Sequence, residues 1–336
     1  MAEATNWLDL VQEEIIEPER PIIDPHHHLW DRGGNRYLID ELVADTGSGH
    51  NIVSTVFIEC LSMYRAGGPA ALRPVGETEF VHGVAAMSAS GGFGTTRVAD
   101  GIISYADLTL GEAVGAVLDA HLAASPTRFR GIRHAVGWDA SADVRNSHTR
   151  PPENLLLDEK YRRGAGELSR RGLVFEAWLY HSQIPELTDL ARAFPELTIV
   201  LDHFGGPLGI GPYAGRADEV FEGWQRSIDD LASCPNVVAK LGGINMEING
   251  FGWELREQPP GSEELAEATK RYYLHTIERF GPQRCMFESN FPVDKVSVSY
   301  SVLWNSFKRL TAGFSEADKS ALFHDTAARV YKLTGT

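Results

Sequence analysis

The chain has 336 residues with 31 Lys plus Arg against 46 Asp plus Glu, a formal net charge of −15. That acidity excludes a non-specific nucleic-acid or anionic-membrane surface, because both require clustered basic residues. With 43% hydrophobic and 23% charged residues the composition is that of a globular enzyme, and Asp, Glu, Arg or His interrupts every apolar stretch before it could span a bilayer. Cys60, Cys234 and Cys285 are odd in number and far apart, so neither a disulfide framework nor a Cys-x-x-Cys metal knuckle is expected. The first residues lack the basic start and apolar core of a signal peptide. The expected location is the cytoplasm.

In chain order, residues 1–20 read as an acidic extension, with a helix over 7–15 and a place across the barrel bottom. Eight short apolar, β-branched runs follow, at 22–28, 54–60, 101–108, 129–134, 173–180, 198–203, 237–241 and 285–290. Stretches with helical spacing separate them, including 110–123, 184–194 and 263–280, the last with Ser262 as N-cap. Eight alternations predict a single-domain (β/α)8 TIM barrel over 21–336. A doubly wound open sheet is the alternative, but no Gly-rich phosphate turn follows the first run. Loops at 205–215 and 245–261, rich in Gly, Pro and aromatic residues, fall where this architecture carries binding residues.

Asp24-Pro25-His26-His27-His28 ends the first predicted strand. Alternate side chains share a strand face, so His26 and His28 converge while His27 turns away. Imidazole serves both as metal ligand and as general base, and the pair alone does not choose between them. His203 ends the sixth strand before Phe204-Gly205-Gly206-Pro207, and is a third candidate. His181, after the fifth strand, has the parity of the helix-facing side and stays open between ligand, substrate-binding and structural roles. Glu59, Arg133 beside His134, and Lys240 put charge where a barrel interior is usually apolar. They are either paired with one another or reserved for a charged substrate. Arg133 suits a substrate carboxylate, because a guanidinium binds one bidentately. Trp30, Trp138, Tyr180 and Trp253 are candidates for the pocket mouth.

His26-x-His28, Leu201-Asp202-His203 and Phe287-Glu288-Ser289-Asn290-Phe291-Pro292, in that order at strand ends, resemble the amidohydrolase superfamily, and within it the amidohydrolase-2 branch of lactonases and some decarboxylases. The resemblance runs from Ile22 to the helix around Tyr331. It implies metal or substrate binding by the first-strand histidines and by a histidine of the fifth or sixth strand. It also implies an acid ending the eighth strand, as ligand and general base. His26, His28, His181 and His203 match those positions. Asn290 stands where the acid is expected, which implies a divalent metal such as Zn²⁺ on His26, His28 and His203 that is weakly held or absent, as in lactonases of the branch that work without metal. Asp294 is a substitute acid, or else an ion-pair partner of Lys295. The expected activity is opening of a lactone of a small oxygenated or carboxylated acid. The alternatives are a metal-dependent non-oxidative decarboxylase and a barrel that binds small molecules without catalysis. Beyond the small-molecule substrate, a homodimer is the one partner that the resemblance implies.

Overall fold

The computed structural model describes residues 6–333; the first five residues of the expected extension and the last three of the expected barrel span lie outside the described residues. Eight parallel strands pair in strict chain order. They are β1 (Pro21–His27), β2 (Asn51–Ile58), β3 (Arg97–Ser104), β4 (Phe129–Arg133), β5 (Val174–Ala177), β6 (Ile199–Leu201), β7 (Val237–Leu241) and β8 (Cys285–Phe287). After each comes a helix: α1 (Ile39–Thr46), α2 (Val75–Ala89), α3 (Val114–Ala124), α4 (Glu159–Arg170), α5 (Ile184–Ala193), α6 (Ala217–Ala232), α7 (Ser262–Phe280) and α8 (Tyr300–Leu310). Consecutive order without a reversal rules out the doubly wound alternative. The last gap, between β8 and β1, closes just beyond the strands. There Asn290 N donates to His26 O (3.0 Å), His28 N donates to Phe291 O (2.8 Å) and Ser289 N donates to the Asp24 carboxylate (2.9 Å). The fold is a near-closed (β/α)8 barrel.

Strand alternation gives the barrel two interior levels. Ile23, Val56, Ile58, Ile103, Val174, Val200, Val238 and Met286 form an apolar lower level, closed beneath by Ala327, Val330, Tyr331 and Leu333 of the last helix and its end. Two residues further along β5 to β8 come Glu176, Asp202, Lys240 and Glu288, all without solvent exposure. The opposite strand faces, Phe175, Ile199, Leu201, Val237, Leu241 and Phe287 among them, pack under the helices.

Several elements differ from their sequence-based bounds. β5 stops at Ala177 and β6 at Leu201, because the chain turns early into the active-face loops; His203 and Phe204 already take left-handed φ values of 52° and 57°. The helix expected over 110–123 is a 3₁₀ turn (Leu108–Ala113) followed by α3, with Gly111 at φ 61° marking the break. A short antiparallel hairpin, Trp30–Arg32 with Asn35–Tyr37, was not anticipated.

The extension is not a bottom cap. Its regular part is a single 3₁₀ turn, Trp7–Leu10, and the following residues run down the outer wall over α7 and α8. Glu13 accepts hydrogen bonds from Ser262 N (2.7 Å) and Asn305 Nδ2 (3.1 Å), and Lys308 Nζ donates to Ile16 O (2.7 Å) and Glu17 O (2.9 Å). Ser262 is therefore the first residue of α7 rather than its N-cap, and Glu13 supplies the negative capping group that a helix start favours. No helix among the described residues is long and apolar enough to cross a membrane.

Candidate active site

The charged level of the barrel is a continuous ion network. Arg133 donates from Nε to Glu59 Oε1 (2.8 Å), from Nη2 to Glu59 O (2.8 Å) and from Nη1 toward Asp202 Oδ2 (3.3 Å). Lys240 Nζ donates to Glu176 Oε2 (2.6 Å) and lies 3.5 Å from Asp202 Oδ1. Tyr331, from the last helix, donates to the other Glu176 oxygen at 2.5 Å. Burial pushes the Glu176 carboxyl up to about 8, against the pull of Lys240 and with the help of Asp202. Burial acts on Asp202 too, but Lys240, His203 and Arg133 outweigh it and hold that carboxylate below its usual range. One carboxyl of the pair is thereby favoured neutral and the other ionised.

Two histidines lean into this network. His203 Nδ1 is 2.6 Å from Glu288 Oε1, and His26 Nδ1 is 2.7 Å from Glu288 Oε2. The His26 and His203 ring centroids are 4.5 Å apart. Arg133 Nη1 approaches His26 Nε2 at 3.3 Å and Lys240 Nζ approaches Nδ1 at 3.2 Å. Burial first, and then Lys240 and the neighbouring histidines, push His26 well below the ordinary imidazole range. The glycines after β7 make room: a Cβ at Gly243 would lie 2.0 Å from His203 Nδ1, and one at Gly242 would lie 2.3 Å from Glu288 O.

His28 sits above, in a cavity of about 350 Å³ at the barrel mouth. Its Nδ1 lies 2.8 Å from Ile58 O. A carbonyl only accepts, so Nδ1 carries the proton, and neutral His28 keeps a bare lone pair on Nε2. Burial and the nearby Arg133 keep the ring neutral, well below the usual pKa. The cavity is also lined by Trp30, Arg32, Arg133, Arg145, His148, Trp178 and Tyr180, and, among the described residues, by no Asp or Glu. In a chain of net charge −15 this is a local concentration of cationic groups. His148 Nε2 contacts Glu59 Oε2 at 3.2 Å beneath the surface, and Arg32 lies over the Trp30 ring at 4.6 Å.

The expected site residues divide accordingly. His26, His28, His203, Glu59, Arg133 and Lys240 come together. Arg133 and Lys240, however, are tied internally to carboxylates, so the expected pairing of Arg133 with a substrate carboxylate gives way to a structural ion pair, and Lys240 has no exposed surface at all. Tyr180 lines the mouth. His134 does not; its Nδ1 accepts from Leu108 N (3.1 Å) and its ring packs on Tyr105 and Tyr161. Trp138 N donates to Gln183 Oε1 (2.9 Å), and the residue stays outside the cavity lining. His181, in a 3₁₀ turn four residues past the end of β5, where strand parity no longer applies, packs on Tyr213 with Nδ1 facing Leu208 N, outside the cavity lining. Asn290 donates its amide to Asp294 Oδ1 (2.7 Å), and Asp294 also accepts from Asn245 N (3.2 Å); both are buried in the seam. Asp294 is not paired with Lys295, which binds Asp45.

Glu288, Glu176, Asp202 and His148 escaped the sequence reading. For the three acids the signal was present, since each lies two residues beyond an inward-facing Val or Met, by the same alternation that singled out His26. Glu288 also corrects the reading of Asn290: a carboxylate at the end of β8 does reach the histidines, from two residues earlier in the chain.

The metal set expected on His26, His28 and His203 shifts as well. His28 is held away by Ile58 O, whereas His26, Asp202 and His203 place one ligand atom each within 4.8 Å of one another. Asp202 Oδ1 is buried without a hydrogen-bond partner. Two imidazoles, a carboxylate and an unpartnered buried oxygen fit a divalent cation, with Glu288 behind His26 and His203 as an orienting carboxylate.

A family model described as amidohydrolase matches residues 23–333. The uncharacterized protein y4mH of Sinorhizobium fredii is 35% identical over 334 residues, covering 93% of this chain and 98% of that protein. An L-fucono-1,5-lactonase of Burkholderia multivorans is 28% identical over 208 residues, 62% of this chain and 64% of the lactonase. Among solved structures, an amidohydrolase of Burkholderia multivorans with bound zinc superposes with a TM-score of 0.70 at 25% identity, over 94% of this chain and all of that one. A 2,6-dihydroxybenzoate decarboxylase superposes at 0.55 with 12% identity, over 93% of this chain and 99% of that one, a likeness of fold alone. From β1 to the last helix, with its histidines and acids at the strand ends, the chain belongs to the amidohydrolase family.

Proposed function

We propose that the protein hydrolyses a lactone that carries a carboxylate. The observation that carries this reading is the mouth cavity, which offers a neutral His28 with Nε2 free, Arg32 and Arg145 at the rim, and no acidic lining residue among the described residues. The guanidinium of Arg145 would orient the substrate carboxylate, a role for which fork-shaped donors are suited. Trp30 and Trp178 would flank the ring.

In the chemical step His28 Nε2 takes a proton from water as its oxygen bonds to the carbonyl carbon. The ring C–O bond then breaks, and the departing alkoxide takes the proton back from His28, leaving a hydroxy acid. Arg133, at the cavity floor, faces the negative charge that develops on the carbonyl oxygen. A divalent ion on His26, Asp202 and His203 would supply Lewis-acid polarisation of that carbonyl. Substrate contact by His181, His134, Trp138, Lys240 or Asp294 forms no part of this scheme. The 28% identity to a lactonase supports the reading.

A pH-indicator assay over matched carboxylated and neutral lactones tests it. Proton release with preference for the carboxylated member is expected. CO₂ release from an aromatic acid without ring opening would establish the decarboxylase instead, and thermal shifts without turnover would establish a binding barrel.

A further inference from the structure

Among the described residues, Lys240 is the one ammonium inside the charged level. Its Nζ lies 3.2 Å from His26 Nδ1 and 3.5 Å from Asp202 Oδ1, and is bound to Glu176 Oε2 at 2.6 Å. Two of the three groups that could hold a metal ion, His26 and Asp202, therefore already face a positive charge. Glu288, whose Oε2 lies 2.7 Å from His26 Nδ1, completes the ring of acceptors. Lys240 cannot withdraw to water, because the residue is fully buried and Tyr331 closes the barrel beneath it, 5.6 Å from Nζ to the ring centroid.

We propose that the Lys240 ammonium is a resident cation of the His26–Asp202–His203 donor set and that it limits how tightly this set binds a divalent ion. In water, two like charges a few ångströms apart repel weakly; between buried partners the repulsion is several times stronger. A divalent ion entering the set meets that repulsion, and it must also compete with Lys240 for Asp202. Without the ion, the same ammonium balances the ionised Asp202 carboxylate and donates to Glu176. The inference holds whichever bond the enzyme breaks, since it concerns cation balance and not the substrate.

Zn²⁺ titration by calorimetry on metal-stripped protein tests this, with the zinc-induced shift in melting temperature as a second readout. Lys240→Met should bind Zn²⁺ at least ~10-fold more tightly than the wild type, about 1.4 kcal/mol, and gain more in melting temperature from added zinc. Lys240→Arg retains the charge and should not tighten binding. Should Lys240→Met fail to fold, pairing it with Glu176→Gln removes the carboxylate left unpaired, and that double variant is compared with Glu176→Gln alone. Equal or weaker Zn²⁺ binding without the ammonium, or no binding by any variant, overturns the proposal. Tightening in Lys240→Arg as great as in Lys240→Met also overturns it, since charge would then not be the cause.

Discussion

A step of two residues leads from Val174 to Glu176 on β5, from Val238 to Lys240 on β7 and from Met286 on β8 to Glu288 just beyond its end. The first member of each pair joins the apolar lower level, and the second joins the ion network above. The lower level gains from burial itself and needs only approximate shape. The upper level is different: taking these charges out of water costs several kcal/mol per ion, and the mutual attraction roughly returns it when every partner is present. A barrel built only for stability would continue the valines upward. The charges converge instead on His26 and His203, so this level is organised around the site.

The sharpest way to separate the two levels is to remove one partner from each. Arg133→Met strips Glu59 and Asp202 of their shared cation and should cost ~3–5 kcal/mol in urea unfolding. Ile23→Val, in the lower level, should cost only about 0.5–1.5 kcal/mol. Similar losses for the two would erase the distinction. His28 belongs to neither level, and if it is the base, His28→Ala should lower kcat/KM on a carboxylated lactone by roughly 10²-fold or more. Near-normal turnover by a folded variant would remove His28 from the chemistry.

At the rim the expected effect is smaller. Arg145→Ala should raise KM for a carboxylated lactone about tenfold, near 1.4 kcal/mol, and leave a neutral lactone unchanged; equal changes for both would dissociate Arg145 from carboxylate binding. The pH profile of stability gives the mildest test. Burial lowers His27 to about 3 and His121 to about 4, so both are neutral in the fold while their unfolded forms bind protons below ~6.5. Their contribution is complete above that pH and is lost as pH falls through 4 to 3. Glu77 and Glu176 are raised to about 8, chiefly by burial. Their contribution is present below ~4.5 and is lost as pH rises through 8. Unfolding midpoints should therefore decline on both sides, and Glu77→Gln should flatten the alkaline decline. An unchanged alkaline limb in that variant would show that Glu77 titrates normally.

The barrel was legible because period-2 apolar runs and helical spacing are local signals, and eight of them leave little topological choice. The first-strand His-x-His and His203 were legible for the same reason. The inward acids were not recognised, although Glu176 and Glu288 obey the same alternation, because a carboxylate in a strand gives no sign of which cation it meets. His148 was beyond reach altogether. It lies in a loop, and its contact with Glu59 spans 89 positions of sequence. Asn290 shows the opposite difficulty: a motif fixed attention on one position, while the chemical group sits two residues earlier. The extension failed for another reason, since its structure comes from Glu13 and Lys308 bonds to distant helices and not from its own propensity.

Tyr331 holds Glu176 from the far end of the chain, 155 positions away. A ribosome delivers β5 long before it delivers this hydroxyl, and domains fold largely in the order of their synthesis. During that interval Glu176 can meet neither Tyr331 nor, until β7 emerges, Lys240. A nascent barrel of this sequence therefore carries a carboxyl group at its centre that has no permanent partner. Until those partners arrive the unfinished barrel leaves that carboxyl to water, and the burial that pushes its pKa to about 8 comes only with the strands and the last helix that also bring Lys240 and Tyr331.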